Sequence, residues 1–399
     1  MNKTIKLAVA GAVLSAATVA NAGIIIPAGE WTIDLNGNVN AYASWYDADD
    51  AAANEVTGGL AGVQDANGND TSASIGTGLL PSWLGVTGTT RQNDLDVSFT
   101  ISVQPGASDN GYTGDGATST KSSNSSVLSR QAFLTFGDAS WGSVKLGKDL
   151  GIFASDAILN DMTLLGVGSA ANGSGQSTTL GGIGSGYLYA AWKGQVAYTT
   201  PNMNGFQATV AVTNPNQLAN LDGGLTNRQE RLGLEAKASY DFPMGKVWVS
   251  GASYKAQISD TASVDVSAVD LGATINIGNL GLTGYIYSGD GAGTTFLGAN
   301  GWTAAGKERE SDGGYVQATY VIPTGTKLGV AYGTSRLDLA DGETNANLVE
   351  ENNRWTVGAY HPLTKHLNLV AEYNDMESDN QAGLSNESST VSLGAILFF

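Results

Sequence analysis

The sequence predicts an all-β fold, a transmembrane antiparallel β-barrel of about 16 strands. Three observations lead there. Segments of about ten residues alternate apolar and polar side chains from Trp31 to Phe399. The connections between them are short and long in turn. After residue 22 nothing offers the ~20 consecutive apolar residues that a membrane helix needs.

In chain order, the first element is an export signal. Lys3 and Lys6 precede an apolar run over 7–19, and Ala20-Asn21-Ala22 supplies the small-x-small pattern before a cleavage point. Cleavage there removes residues 1–22 and leaves 23–399 as one domain, since no linker, composition break or charge block divides it. The 399-residue chain carries a net charge of −18, and the signal holds two of its cations and none of its acids. So acidic a chain has no basic face to neutralise phosphates, which argues against nucleic acid as a partner. Its acids suit solvated loops. The 54 glycines, 15 tyrosines and 8 tryptophans favour strands and turns over helices. With 0 cysteines, stability cannot come from disulfides.

Lipid accepts only structures whose backbone hydrogen bonds are satisfied internally, so an exported membrane chain without helices must close into a barrel. In the first strand Ile33, Leu35, Val39, Ala41 and Trp45 share one face, and Asp34, Asn36, Asn38, Asn40 and Ser44 share the other. The same alternation recurs in Leu95, Val97, Phe99, Ile101 and Val103, and again around Val210, Leu234, Leu271 and Leu369. Short connections fall near 91–94, 137–141, 201–205, 241–245, 278–279, 323–326 and 362–366. Long ones fall at 47–81, 104–126, 151–185, 214–230, 257–263, 288–313, 338–352 and 374–388. Short turns at one rim and longer loops at the other are the expected asymmetry of such barrels, and a barrel of this size leaves an aqueous channel. The last strand places Val391, Leu393, Ala395, Leu397 and Phe399 on one face.

Two motifs carry a family likeness. SRQAFLTFGDASWGSVKLGKDLG (129–151) holds an Arg-x-Ala-aromatic strand, a short turn and a Leu-Gly-Lys strand. VAYTTPNMNGFQATVAV (196–212) holds a Tyr-x-Thr-Pro-x-x-x-Gly-Phe hairpin. With the first strand, the LTKHLNL hairpin at 363–369 and the terminal Phe399, these segments resemble the trimeric general porins of Gram-negative bacteria. The resemblance implies a homotrimer in outer-membrane lipid and lipopolysaccharide. It implies a water-filled pore for ions and small hydrophilic solutes, with no cofactor, and a third external loop folded into the lumen. The strand ending at Phe399 resembles the one that outer-membrane assembly machinery recognises. The fold-in also has support of its own. Ile152, Phe153, Ile158, Leu159, Met162, Leu164, Leu165 and Val167 make this connection too apolar for external water.

In that family, basic wall residues oppose acids on the inner loop, and such a transverse field tunes ion choice. Arg130 matches a family arginine directly. Lys148 stands where the family has its Leu-Gly-Arg arginine, and serves either the pore or the trimer contact. Lys145, alternating with Val144 and Leu146, is expected to point away from lipid, and Lys193 is expected on the same pore face; Asp156 and Asp161 are expected to face the pore from the loop. Trp83 replaces the second-strand arginine and Ala191 another, so a constriction thin in cations leans toward cations or an uncharged solute. Trp83, Trp192 and Tyr198 belong either to a sugar- or aromatic-binding path or to interfacial belts.

Chemistry beyond a channel finds little footing. The two histidines, His361 and His366, flank one short turn, a poor place for a catalytic base. Asp65 to Asp70 resembles the start of a calcium loop but lacks its glycine position and distal Glu, so no metal site is expected. Beside passive diffusion, the alternatives are a solute-selective channel of the same architecture and a structural or adhesive barrel.

Overall fold

The computed structural model describes residues 23–48, 56–62, 68–107, 127–172, 178–214, 231–258 and 263–399. The export signal and part of the calcium-like segment lie outside these residues. In chain order the elements are β1 (Ile24–Ala28), β2 (Trp31–Ala48), β3 (Thr71–Gly76), β4 (Trp83–Gln92), β5 (Leu95–Gln104), β6 (Leu128–Asp138) and β7 (Gly142–Leu150). An inner connection follows, with helix α1 (Ser155–Asn160), a 3-10 turn (Met162–Leu165), β8 (Ser169–Asn172) and β9 (Thr179–Gly181). Then come β10 (Trp192–Thr199), β11 (Phe206–Thr213), β12 (Gly233–Phe242), β13 (Gly245–Gln257), β14 (Ser263–Ile277), β15 (Leu280–Asp290) and β16 (Glu310–Val321). Last are β17 (Lys327–Leu337), β18 (Val349–Pro362), β19 (Leu367–Asn380) and β20 (Ser385–Phe398).

One 18-stranded sheet forms the wall, antiparallel throughout, and β20 closes it against β2. Two of those strands are continuations. β1 pairs the lower half of β2 in line with β20, and β3 pairs the upper half in line with β4. The closed wall is therefore sixteen staves around.

The physical signature is inverted burial. Val269, Ile286 and Val316, on neighbouring staves, are each 61 % exposed on the outer face. Such a continuous apolar surface would be a liability in water and is what hydrocarbon requires. Aromatic side chains flank the belt, with Phe206, Tyr240 and Tyr320 toward the short turns and Trp45, Trp355 and Tyr373 toward the long connections. Facing inward, Asn38, Asn40, Gln131, Asn352, Asn374 and Ser378 are buried.

All seven expected short turns join consecutive staves. At the first, Asn93 and Asp94 take φ of 49° and 63°, the left-handed pair that matches strand twist in a two-residue hairpin. Three boundaries differ from the sequence expectation. β1 was not expected, because Ile24-Ile25-Ile26-Pro27 shows no alternation. β3 lies within the long connection 47–81. The expected long connection 374–388 is mostly strand, with β19 running to Asn380 and β20 starting at Ser385. There Asp375, Glu377 and Asp379 point out while Met376, Ser378 and Asn380 are buried, so the stave rises above the apolar belt with its outer face turned polar.

At the seam Gly37 N donates to Phe399 O at 2.9 Å and Phe399 N donates to Gly37 O at 3.0 Å. A Cβ at Gly37 would lie 2.2 Å from Trp83 O and 2.9 Å from the Phe399 ring, so the terminal ring covers a glycine. Gly37→Val should cost about 1–3 kcal/mol by overpacking. The check is the temperature at which the compact band on an unheated SDS gel converts to the unfolded one, which should fall clearly below the parent's.

Candidate functional site

The connection after β7 stays inside the wall. Its helix α1 is a turn and a half long, too short to hold itself. The residues before α1 and after the 3-10 turn carry backbone N–H groups with no helical partner, and buried N–H groups must find acceptors. The wall supplies them. Glu235 on β12 accepts from Ile152 N at 2.6 Å and Phe153 N at 3.1 Å. Asp270 on β14 accepts from Ala154 N at 3.1 Å. Glu372 on β19 accepts from Val167 N at 2.7 Å and Gly168 N at 2.8 Å. Three inward carboxylates thus seize both ends of the apolar stretch. Between them Gln317 brackets the turn, accepting from Met162 N at 2.9 Å and donating to Asn160 O at 2.7 Å.

Packing completes the attachment. Phe153, Ile158, Tyr187 and Leu188 join one buried cluster with Trp248, Tyr254, Tyr285 and Tyr315 of the wall. The inner face of β17 reads Gly329, Ala331, Gly333, and the smoothness is used. A Cβ at Gly329 would meet Met162 Sδ at 2.6 Å, and one at Gly333 would meet Ser185 O at 2.2 Å. The apolar connection is the lining of one side of the lumen.

Each candidate charge has a definite place. Arg130 is the extra residue of a β-bulge on β6, where Ser102 pairs Gln131 and Val103 pairs Ser129. The bulge turns Arg130 inward although strict alternation with Ala132 and Leu134 would send it out. It is buried, with its guanidinium carbon 5.0 Å from the Trp83 ring centre and 4.2 Å from that of Trp192. Trp83 and Trp192 therefore flank a cation, while Tyr198 lies on the outer face and donates to Trp141 O. Lys145 points inward, over the Phe133 ring and paired with Asp149. Lys193 is buried against Glu235 at 2.7 Å. Lys148 is different. It shares the face of Val144 and Leu146, opposite Ala132, and donates to Ser129 O, so it is on the outside of the barrel.

Asp156 and Asp161 are both buried rather than open to pore water. Asp156 receives Lys237 at 2.7 Å and Lys246 at 2.5 Å. Burial works against its charge, but the two lysines outweigh this and hold the carboxyl below the usual range. Asp161 caps the 3-10 turn by accepting from Thr163 N at 2.9 Å and accepts from Tyr187 OH at 2.8 Å; Arg354 Nη2 stands 3.9 Å away.

Sequence reasoning missed Lys237, Lys246, Arg354, Glu235, Asp270 and Glu372 as site residues. Their inward parity was readable, since Glu235 and Lys237 alternate with Leu234, Ala236 and Ala238. Which inward charge meets the inner connection depends on how far around the barrel it travels, and no local pattern encodes that.

Comparison with known proteins follows from this geometry. A family model described as Gram-negative porin matches residues 7–381. No curated protein sequence matches the chain. Among solved structures it is similar to the outer membrane channel DcaP of Acinetobacter baumannii, at 19% identity and a TM-score of 0.68 over 94% of this chain and 99% of that one. It is similar to OmpF of Salmonella typhi at 15% identity and a TM-score of 0.61, over 94% of this chain and 100% of that one. A third, the trimer form of OmpT of Vibrio cholerae, shares 15% identity with a TM-score of 0.57, over 92% of this chain and 99% of that one.

Lys193 and Glu235 provide the energetic test of the anchor. Removing one member of a buried pair strands the other, at a cost of about 3–5 kcal/mol. Glu235→Leu should therefore destabilise the barrel in urea by that order and loosen residues 152–153 as well. Lys193→Met combined with Glu235→Leu should recover part of the loss, and the unrecovered part measures the N–H anchoring.

Proposed function

We propose, starting from the fact that this chain belongs to the Gram-negative porin family, that its lumen works as a narrowed aqueous path with a mild preference for small anionic solutes. As a member of that family it is an outer-membrane channel for passive diffusion of small solutes. The preference is our reading, and one observation carries it. Lys145, Lys237 and Lys246 keep side chains 28%, 21% and 25% exposed, whereas their partners Asp149 and Asp156 are 1% and 5% exposed. In this reading the lysines are the members of these pairs that lumen water reaches, since their balancing carboxylates are buried. Two lysines also share one carboxylate. This reverses the lean toward cations that the thin basic motif suggested, because Lys237 and Lys246 restore charge from staves the motif does not include.

In this reading Arg130, Lys145 and Lys193 form the basic side of the constriction, and Asp156 and Asp161 fix the position of the inner connection. Lys148, being outside, belongs to the contact between subunits. The trimer form of the Vibrio cholerae protein supports a homotrimer here. Removal of residues 1–22 on export, delivery by assembly machinery that reads the strand ending at Phe399, and contact with lipid and lipopolysaccharide complete the proposal. A channel is favoured over an enzyme by the family match, and His361 is engaged with Thr326 at 2.9 Å beside a turn.

The reversal potential across a planar bilayer in a potassium chloride gradient tests the preference. The parent should be weakly anion-selective at pH 7, and Lys246→Met, which leaves Lys237 on Asp156, should abolish the preference. Because Asp156 is held below the ordinary carboxylate value of about 3.9, it stays charged as pH falls to that value. Selectivity should therefore hold as pH falls to about 4 and move further toward anions only below that value, as Asp156 takes up its proton. Cation selectivity in the parent would overturn the reading.

A further inference from the structure

We propose that export processing creates an ion pair at the barrel seam, between the new α-ammonium of Gly23 and the carboxylate of Asp34. The inference rests on the cleavage after Ala22 proposed above.

The two ends of the processed chain meet on one strand. Phe399 stands opposite Gly37 of β2, and Ile24 stands opposite Leu35, which sets Gly23 beside Asn36. Asp34 is opposite Ile25 and shares the inward face with Asn36 and Asn38, so its side chain reaches Gly23 on the diagonal. The approach is close. A Cβ on Gly23 would lie 1.9 Å from Asp34 Oδ1 and 3.0 Å from Oδ2, so the carboxylate occupies the space beside Gly23 where a side chain would stand. The α-nitrogen is one bond, about 1.46 Å, from the Gly23 Cα.

Asp34 is prepared for a donor it does not have. Its Oδ1 is buried and has no hydrogen-bond partner among the described residues. Nor does a lysine or arginine pair with it among them. A buried acceptor left unpaired carries its full desolvation cost. In the precursor the Gly23 nitrogen is a peptide amide with one N–H and no charge. A signal peptidase adds water across the Ala22–Gly23 bond. The hydroxyl goes to the Ala22 carbonyl, which leaves as a carboxylate, and the nitrogen takes the hydrogen and a further proton. An ammonium with three donors then stands beside the waiting carboxylate. The Phe399 carboxylate is the competing acid: one of its oxygens accepts from Gly37 N in the sheet, and the other is the alternative partner that the test below distinguishes.

The ion pair would fasten β1, whose Ile24, Ile25 and Ile26 are exposed and whose ladder runs along β2. It would exist only after processing, so the seam would be finished by the same cut that releases the chain.

The test uses the full-length protein purified from outer membranes. Its N-terminal residue is identified by mass, and the pH dependence of α-amine acylation is measured in the folded barrel, in the heat-unfolded protein and in Asp34→Asn. The chain should begin at Gly23. Its amine should react about fivefold more slowly near pH 8 when folded than when unfolded, as a one-unit upward shift from the ordinary α-amino value of about 8 requires. Asp34→Asn should restore the unfolded rate. A chain beginning elsewhere would refute the cleavage and the pair together. Gly23 at the N-terminus with equal folded and unfolded rates would refute the pair alone. Slow reaction that persists in Asp34→Asn would assign the ammonium to Phe399 and also refute it. The folded-against-unfolded comparison needs no variant, so a poorly folding Asp34→Asn does not blunt the test.

Discussion

Hydrocarbon offers no partner to a backbone N–H or C=O, and the wall and its contents follow from that constraint. Sixteen staves close on themselves because an open edge inside lipid would leave a row of such groups unmet. The demand returns inside the barrel in another form. The stretch from 152 to 168 is apolar in its side chains but carries donors along its backbone, and among packed side chains it cannot give them to water. Glu235, Asp270 and Glu372 accept from it. Carboxylates are strong acceptors for N–H groups, so three of them at fixed heights on three staves define where the inner connection runs.

Charge and packing are therefore one system. Glu235 satisfies Lys193 as well as two amides, and Asp156 is fixed by two lysines whose side chains stay partly exposed. In the pairs made by Asp149 and Asp156 the acid is the buried partner, and Lys145, Lys237 and Lys246 are the more exposed ones. A net charge of −18 for the whole chain says little about the field in the lumen. The local balance is decided by which group of each pair is buried.

Much of the wall was legible in the sequence because a barrel imposes a two-residue period on every stave. Val269 and Leu271 could only face lipid if Asp270 faced in. The period fails where the chain departs from it. Arg130 points inward by a bulge that no alternation announces. At 374–380 the outer face turns acidic above the belt, so a search for apolar residues ends the strand too early. The Ile24–Ala28 strand has no alternation at all. The apolar character of 152–167 was readable as an inward fold, but its anchors were not, since Glu235, Asp270 and Glu372 are distant in sequence and resemble any other lumen acid. The low identities to proteins of the same architecture, 14% to 19% among those with the higher TM-scores, fit a fold held by pattern more than by particular residues.

Residues 151–169 and 178–191 are fastened to the inner wall and line one side of the path. The absence of cysteine from the chain allows a direct measurement. Met162→Cys with Gly329→Cys places one thiol on the inner turn and one on β17, where Met162 Sδ now lies 2.6 Å from the Cβ position of residue 329. Treatment of this variant in native membranes with a short thiol-to-thiol crosslinker should join the two thiols almost completely and leave single-channel conductance unchanged, because the bridge would tie together positions that already adjoin. Failure to join, or a conductance step on joining, would mean that the connection rests elsewhere and contradict the account.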